Sequence, residues 1–166
     1  DVSSSESVAA WATALHQAVP AVDVLISNAG VGLSGGILDT TLDDWKWVMS
    51  INVFGVIHGC HHFAPAMIAR GKGGQIVNIA SLAGLWASPQ LGAYATSKFA
   101  VVGYSEALRE ELRPHQIAVT TICPGIVATS IVDNSRVRGH AAGAADFKHK
   151  ANKLYQQRRY TPEKVA

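Results

Sequence analysis

Strand-like and helical segments alternate along this chain, and no other feature of the sequence restricts its possible folds as strongly. Three short runs are mainly apolar, without a strict alternation of apolar and polar residues, namely residues 22–27, 75–80 and 117–122. Such runs are typical of parallel strands that are buried on both faces and joined by crossover helices. The sequence therefore predicts an α/β fold, with a doubly wound parallel sheet between two helical layers (α/β/α).

One helix is predicted before the first run, over residues 4–18, and two helices connect the three runs, over residues 42–70 and 90–113. Thr40 and Thr41 each precede an aspartate by three residues, which is the pattern of a capping box at the start of the second helix. A long, irregular, basic segment follows the third strand. At 166 residues, 1–166 is expected to form a single globular unit.

Prolines and glycines mark where the long helices are predicted to begin and end. Gly71 is expected to end the second helix, and Pro65 to kink or shorten its last turns. Ser88 and Pro89 are predicted as the N-cap and first residue of the third helix. Pro114 is expected to stop that helix, because the residue before a proline disfavours helical geometry.

A serine, a tyrosine and a lysine form the most informative polar pattern. Lys98 follows Tyr94 by four residues, so both are expected on one helix face. A free phenol titrates near pH ~10, and a neighbouring cation favours its ionised form. Ser81, which follows the run 75–80, can hold a carbonyl oxygen while Tyr94 gives or takes its proton. The pattern predicts a redox site for alcohols and ketones, although each residue alone also fits an ordinary structural role.

Polar or turn residues follow all three predicted strands. Asn28, Ser81 and Pro124 each come after the end of an apolar run. Ligands of open parallel sheets bind beyond the carboxyl ends of the strands. Since these ends share one edge of the sheet, the three positions are expected to meet at one site.

Five sequence elements, in the same order and with similar spacing, resemble the short-chain dehydrogenase/reductase family. Residues 25–30 (LISNAG) resemble its Asn-Asn-Ala-Gly element, with Ser27 in place of the first asparagine. Asn52, in SINVFG, matches the asparagine of the family's catalytic tetrad, and Ser81 matches its serine. YATSK supplies the Tyr-x-x-x-Lys pair, and residues 124–129 (PGIVAT) match Pro-Gly-x-Val-x-Thr.

The resemblance implies a role for each member of the tetrad. Tyr94 is expected to be the general acid or base, and Ser81 to orient the substrate oxygen. Lys98 is expected to lower the pKa of Tyr94 and to bind the nicotinamide ribose. Asn52 is expected to hold a water that links Lys98 to solvent. The implied activity is the interconversion of an alcohol and a ketone or aldehyde by hydride transfer.

The same resemblance implies an NAD or NADP cofactor, with the choice between them left open. Asp1 and Val2 are expected at the adenine, residues 28–30 at its ribose, and Val127 and Thr129 at the carboxamide. The full implied set is Asp1, Val2, Asn28, Ala29, Gly30, Tyr94, Lys98, Pro124, Gly125, Val127 and Thr129.

Compared with the family, the chain lacks an N-terminal glycine-rich turn and the last strand. The resemblance therefore implies a Rossmann-like sheet that is incomplete at both ends, so that 1–166 is one partial dinucleotide-binding domain. Residues 30–35 (GVGLSG) fit Gly-x-Gly-x-x-Gly, but that fingerprint should open a helix, and a polar turn follows instead. We expect this match to be fortuitous. A piece lacking those strands would expose the edge of strand 22–27, so we expect the 166 residues to come from a longer protein.

Residues 126–160 are expected to form the substrate lid of the family. Seven basic residues and one acid fall within 136–159, including Arg158 and Arg159, whereas the rest of the chain has seven basic and eleven acidic residues. This charge favours an anionic substrate or carrier, while an anionic membrane surface is a weaker alternative and is not expected as a partner. A solvated helix with ordinary charges fits the same residues at least as well. An apolar pocket wall is predicted from Leu82, Leu85, Trp86 and Leu91, which favours a bulky, lipid-like ketone.

Other functions are less well supported. A non-catalytic scaffold or oligomerisation module of the same fold is the alternative reading. His58 and His62 are spaced as on one helix face, but Cys60 points elsewhere, so no metal site is expected. The basic residues lack interleaved aromatics apart from Tyr155 and Tyr160, which argues against nucleic-acid binding.

Composition indicates a cytoplasmic protein with buried contacts to other subunits. Cys60 and Cys123 lie in apolar segments and are expected to be reduced thiols. No apolar run is long enough to span a membrane, and no signal-peptide pattern opens the chain. Only 16% of the residues are charged, and helices 42–70 and 90–113 are apolar on more than one face. In the family these helices pair between subunits, so a homodimer or homotetramer is expected.

Overall fold

The computed structural model describes residues 1–139, 143–158 and 161–165. Arg159 and Tyr160, which belong to the predicted lid, lie outside the described residues. The strands in chain order are β1 (Val24–Ser27), β2 (Leu33–Ser34), β3 (Gly74–Ile79), β4 (Ile117–Ile122) and β5 (Arg136–Val137). The α-helices are α1 (Ser5–His16), α2 (Leu42–Met49), α3 (Gly55–Arg70), α4 (Gly92–Leu112), α5 (Gly143–Arg158) and α6 (Pro162–Val165).

The main sheet has three parallel strands in the order β1-β3-β4, which confirms the predicted parallel arrangement. Ser27 pairs with Asn78, and Ile79 with Ile122, so the three carboxyl ends lie close together. Each of the three apolar runs forms one strand of this sheet, within two residues of its predicted bounds.

Helices α1, α3 and α4 cover one face of this sheet and enclose the core. Leu25, Ile76 and Val119 point from successive strands into this layer. The residues buried against them from the helices are Val8, Ala12, Val56, Cys60, Phe63, Ala64, Met67, Val101 and Leu112. Helix α1 also packs on α3 through the rings of Trp11 and Phe63, whose centroids are 4.7 Å apart.

The opposite face of the sheet is open in the described part of the chain. Val24 is 51% exposed, Ile26 60% and Ile122 41%. The mainly apolar runs predicted a sheet that is buried on both faces. The described residues supply two of the three predicted layers, namely the sheet and the helices on one of its faces. An apolar run records that a strand is suited to burial on both faces, but it does not show which segment covers each face.

The predicted helix 42–70 has the expected ends but is not one continuous α-helix. The Thr41 hydroxyl accepts a hydrogen bond from the Asp44 amide, and the Asp44 carboxylate accepts one from the Thr41 amide, which confirms the capping box. Residues Ser50–Phe54 form a π-helix between α2 and α3. Gly71 ends α3 with φ of 67°.

Pro65 was predicted to kink or shorten the last turns of this helix; the shortening was wrong, and the kink stays a prediction. Helix α3 contains Pro65 and continues to Arg70. Ala64 and Met67, on either side of the proline, are buried in the core. Their burial favours a continued helix and offsets the hydrogen bond that proline cannot donate.

The predicted start of the third helix at Ser88 and Pro89 was also wrong. Helix α4 begins at Gly92, and the Leu91 amide closes a turn on the Ser88 carbonyl. The Gln90 carbonyl accepts from the Gly35 amide at 2.8 Å, and Leu91 forms a parallel bridge with Gly35. Residues 90 and 91 are therefore bonded to Gly35 at the end of β2, which delays the start of the helix.

A second sheet joins loops that are far apart in sequence. Strands β2 and β5 pair in parallel, with Leu33 opposite Arg136 and Ser34 opposite Val137. Residues 30–35 thus contain strand β2 and do not open a helix, as expected for a fortuitous fingerprint match. The segment after β4, predicted to be irregular, instead contains strand β5 and helix α5.

Candidate active site

The carboxyl ends of β1, β3 and β4 bring the sequence-predicted residues to one edge of the main sheet. Ser81 follows β3 closely, and the Leu82 amide donates to the Pro124 carbonyl at 2.8 Å. The Ala80 amide donates to the Ile122 carbonyl, also at 2.8 Å. The loops after β3 and β4 are therefore bonded directly to each other, as the predicted convergence requires.

Ser81 is oriented by the short 3-10 helix that it starts. Its backbone is extended, with φ of −170°, and its hydroxyl accepts from the Ala83 amide at 3.2 Å. This bond uses the hydroxyl as an acceptor, so its proton can still be donated to a ligand oxygen. Gly84 lets this turn lie against α4, because a Cβ there would lie 2.7 Å from the Lys98 carbonyl oxygen.

Tyr94 lies in the first turn of α4 and is half-buried. Its ring packs against a cluster in which Leu33, Val48 and Ala93 are buried, which connects it to β2 and α2. Lys98 is one turn later, with its Nζ 5.9 Å from the centroid of the Tyr94 ring. The predicted tyrosine–lysine neighbourhood is present.

Lys98 is buried, with 5% of its surface exposed, and its ammonium is fixed at the end of β3. Nζ donates to the Ile79 carbonyl at 3.0 Å. Burial lowers the pKa of Lys98 from 10.5 to about 8, although its interaction with Cys123 acts in the opposite direction. The charged form is destabilised because water is excluded from around it.

Asn52 lies in the π-helix, is fully buried, and connects the loop after β1 to helix α4. Its Oδ1 accepts from the Val31 amide at 2.8 Å, and its Nδ2 donates to the Val31 carbonyl at 3.0 Å. Nδ2 also donates to Ser97 Oγ at 3.0 Å, and that hydroxyl donates to the Tyr94 carbonyl at 2.7 Å. Asn52 therefore holds the loop after β1 against the helix that carries Tyr94 and Lys98.

The residues expected at the adenosine ribose lie close to the buried side chains of Asn52 and Lys98. Asn28, Ala29 and Gly30 are exposed beyond the end of β1. A methyl group added at Gly30 would lie 3.5 Å from Lys98 Nζ and 3.4 Å from Asn52 Oδ1. Gly30 therefore keeps the approach to these two groups free of side-chain atoms.

Asp1 and Val2 lie beside the start of α3. His58 Nδ1 is 2.9 Å from the Val2 carbonyl oxygen, which identifies Nδ1–H as the donor. A Cβ on Gly55 would lie 2.9 Å from Val2 Cγ2, so glycine permits this close contact. His62 Nε2 is 3.0 Å from the Ser5 hydroxyl, so both histidines hold the N-terminal segment on α3.

The Pro-Gly element continues from β4 at the same edge. Gly125 and Thr129 are exposed, whereas Pro124 and Val127 are half-buried. The Thr129 hydroxyl accepts from the Ile131 amide at 3.4 Å. The structure thus brings this segment to the site, and the contact of Val127 and Thr129 with a carboxamide stays a prediction.

Sequence reasoning missed one residue at the site and one cluster that lies behind it. Ser97 is buried and joins Asn52 to α4, and its place within YATSK, three residues after Tyr94, was an available signal. The cluster is Asp44 with Arg136 and Arg138, which form ion pairs at 2.8–3.0 Å. Asp44 was identified only as a helix cap, because its partners are distant in sequence.

In the described residues, no group of three or more His, Cys, Asp or Glu side chains is arranged to hold a metal ion. Among the helices described, none combines the length and apolar character that a membrane span requires.

Comparisons with known proteins identify the family of this chain. The chain belongs to the short-chain dehydrogenase family, whose sequence profile matches residues 1–138. It is 37% identical to "Probable oxidoreductase EphD" of Mycobacterium tuberculosis over its whole length, but covers 28% of that protein. It is 40% identical to the 3-ketodihydrosphingosine reductase of Bacteroides thetaiotaomicron, covering 70% of this chain and 43% of the relative.

A solved structure confirms the Rossmann-like class of the fold. The short chain dehydrogenase/reductase from Burkholderia phymatum, in complex with NAD, superimposes with a TM-score of 0.80 at 33% identity. The superposition covers 97% of this chain and 67% of the other. The chain spans less than half the length of the two relatives described above.

Proposed function

We propose that this chain carries the catalytic centre of an NAD(P)-dependent oxidoreductase that interconverts an alcohol and a ketone or aldehyde. The observation that carries the proposal is the buried ammonium of Lys98, one helical turn from Tyr94 at the carboxyl edge of the sheet. A cation at this place favours the phenolate of Tyr94 and so brings its acid–base chemistry toward neutral pH.

The residues present fit a nicotinamide cofactor. Lys98 donates one hydrogen bond to Ile79, and an ammonium has three donors, so two are suited to ribose hydroxyls. Gly30 leaves their approach open, and Asn28 and Ala29 are exposed beside it. When bound, the nicotinamide supplies or accepts the hydride.

The remaining chemistry belongs to this chain. In the reducing direction the Ser81 hydroxyl donates to the substrate carbonyl oxygen and holds it, and Tyr94 delivers a proton to that oxygen. In the oxidising direction the phenolate of Tyr94 takes the proton back. Asn52 keeps the loop of Gly30 and Val31 aligned with α4. That it also holds a relay water stays a prediction of the family resemblance.

An apolar substrate fits the surroundings of Ser81. Leu82 is 51% exposed, Leu85 59% and Trp86 66%, and all three lie in the loop between β3 and α4. Exposed apolar side chains grouped beside a catalytic edge are suited to binding a bulky apolar ketone. We include in this proposal that the described part of 126–160 closes over such a substrate.

The exposed side chains of Leu42, Phe54 and Phe99 lie on α2, the π-helix and α4. Their exposure supports the expectation that these helices pack against a second subunit. A dimer or tetramer is therefore part of the proposal. Sedimentation of the intact gene product as a monomer at micromolar concentration would reject it.

The proposal is tested by binding NADH and NADPH to the intact gene product, followed by ketone reduction. Tyr94→Phe should keep cofactor binding and lose a factor of about 10² or more in kcat, because it removes the proton donor. Tyr104→Phe is the matched control, since Tyr104 lies on the same helix but packs against the core. Full activity in Tyr94→Phe would refute the mechanism, and a folded protein that binds neither cofactor would favour the scaffold alternative.

A further inference from the structure

A carboxylate buried away from the proposed catalytic groups bonds two arginines from a distant segment. Asp44 is 1% exposed. Arg138 binds it in a bidentate manner, Nε to Oδ2 and Nη2 to Oδ1, both at 2.8 Å. Arg136 Nη1 donates to Oδ1 at 3.0 Å, and its guanidinium stacks 4.0 Å from the centre of the Trp47 ring.

This pairing is strong because the carboxylate is buried and guanidinium donors bond both of its oxygens. Burial alone would raise the pKa of Asp44, but hydrogen bonds from Arg138, Thr41 and Arg136 outweigh it and hold the pKa well below its usual range. Asp44 is therefore ionised at neutral pH. Planar bidentate pairs of this type also fix orientation, which a lysine in place of Arg138 would not do.

The two arginines hold β5 against β2. The Arg136 amide donates to the Gly32 carbonyl at 3.1 Å, and the Arg138 amide to the Ser34 carbonyl at 2.8 Å. Gly35 permits this approach, because a Cβ there would lie 2.8 Å from Arg138 Cβ. Asp44 thus connects α2 to the small sheet that joins the loops after β1 and β4 and the loop before α4.

This small sheet supports the proposed catalytic edge from behind. Leu33 of β2 and Val48 of α2 are buried in the cluster on which the Tyr94 ring packs. On the other side, β5 is the fixed end of the segment that starts at Pro124 and contains Val127 and Thr129. The place of β5 therefore determines where that segment lies relative to Tyr94.

We propose that Asp44 is a positioning residue: through Arg136 and Arg138 it fixes β5, and thereby the wall of the site that residues 126–138 form beside Tyr94. This inference rests on the proposed function for its kinetic consequences, but the structural link can be tested without activity. The side-chain hydrogen bonds of Asp44 are to Thr41, Arg136 and Arg138, none of which is assigned to catalysis. Its loss should weaken binding on the substrate and nicotinamide side and leave the adenosine side unaltered.

The test compares Asp44→Asn and Arg138→Met in the intact gene product. Both should raise the KM for a ketone about tenfold while kcat at saturation changes less than about threefold, the result of lost ground-state binding. The Kd for ADP-ribose should stay at the wild-type value, since that fragment lacks the nicotinamide. Backbone amides of 136–138 should exchange with deuterium at least tenfold faster, because their protection depends on the ion pairs of Asp44 with Arg136 and Arg138, which we call the clamp.

Two controls separate the clamp from neighbouring effects. Asp43→Asn removes an adjacent carboxylate whose side chain is 88% exposed and should leave every readout unchanged. Thr41→Ala removes the helix cap but keeps both arginine pairs, so it should leave KM and exchange of 136–138 unchanged. If Thr41→Ala reproduces Asp44→Asn, the cap rather than the clamp is responsible and the inference is overturned.

The remaining outcomes are equally decisive. A lower KM in Asp44→Asn would mean that a released arginine binds substrate directly, and would reject the positioning role. Wild-type exchange at 136–138 in either Asp44→Asn or Arg138→Met would also reject it. If the wild type neither binds cofactor nor reduces ketones, the proposed function fails, while amide exchange still decides whether Asp44 fixes β5.

Discussion

The burial of Lys98 should appear as a pH-dependent difference in stability between the wild type and Lys98→Met. The methionine keeps a similar length and apolar stem but carries no proton. The folded-state pKa of Lys98 is about 8, against an ordinary value of 10.5. Between these values the unfolded chain binds a proton that the folded chain has lost, so the wild type gains stability as pH rises.

The size of the effect follows from the two pKa values. Each pH unit between the two pKa values adds up to about 1.4 kcal/mol to the free energy of unfolding of the wild type, so the full increase is about 3 kcal/mol. At 5% exposure Lys98 is little screened by solvent, and no large reduction is expected. With a urea slope of about 1–3 kcal/mol/M, the midpoint of the wild type should move by about 1–3 M relative to Lys98→Met.

The assay is urea unfolding of the cofactor-free protein at several pH values from 7.5 to 10.5. The difference between the two proteins is used because other groups titrate in the same range, and these cancel in the difference. Lys46→Met is a matched control that keeps Lys98 and should follow the wild-type pH profile. A wild-type-minus-Lys98→Met difference that stays flat, or that falls as pH rises, would refute the argument that burial destabilises the ammonium.

Two further predictions concern a buried thiol and the apolar wall. Burial raises the pKa of Cys60 from 9 to about 11, so its contribution to stability is complete below pH 9 and is lost between pH 9 and 11. The free energy of unfolding should therefore fall by up to about 3 kcal/mol less in Cys60→Ala than in the wild type between pH 9 and 11, as urea unfolding under reducing conditions would show. Equal falls in the two proteins would contradict the burial of this thiol. Trp86→Ala should raise the KM for a long-chain ketone about tenfold while changing that for acetone less than twofold, as steady-state kinetics would show. A parallel change for both ketones would argue against an apolar wall.

Local patterns in the sequence were sufficient to predict much of the sheet and to select candidate catalytic residues. The bounds of β4 agree with the apolar run 117–122, because Gln116, with φ of 57°, ends the preceding turn and Pro124 follows closely. Ser81, Tyr94 and Lys98 were found because strand ends and helical spacing are themselves local signals. Their convergence then followed from parallel strands, whose ends share one edge.

Features set by distant contacts were not accessible in the same way. The start of α4 is displaced to Gly92 because residues 90 and 91 bond to Gly35, more than fifty positions earlier. The arginine partners of Asp44 are 92 and 94 residues away from it. Local propensity contains no information about such pairs, and it also gave no sign of the π-helix at Ser50–Phe54.

The π-helix allows one nearly continuous helical rod to serve two separate cores. Val48, before it, is buried with Leu33 beside Tyr94, whereas Val56 and Phe63, after it, are buried against the main sheet. A wider turn changes the angular phase of the rod, so its two halves present apolar faces in different directions. Substitutions in the cluster beside Tyr94 and in the sheet core should therefore be tolerated independently, whereas both regions depend on Asn52 at the junction.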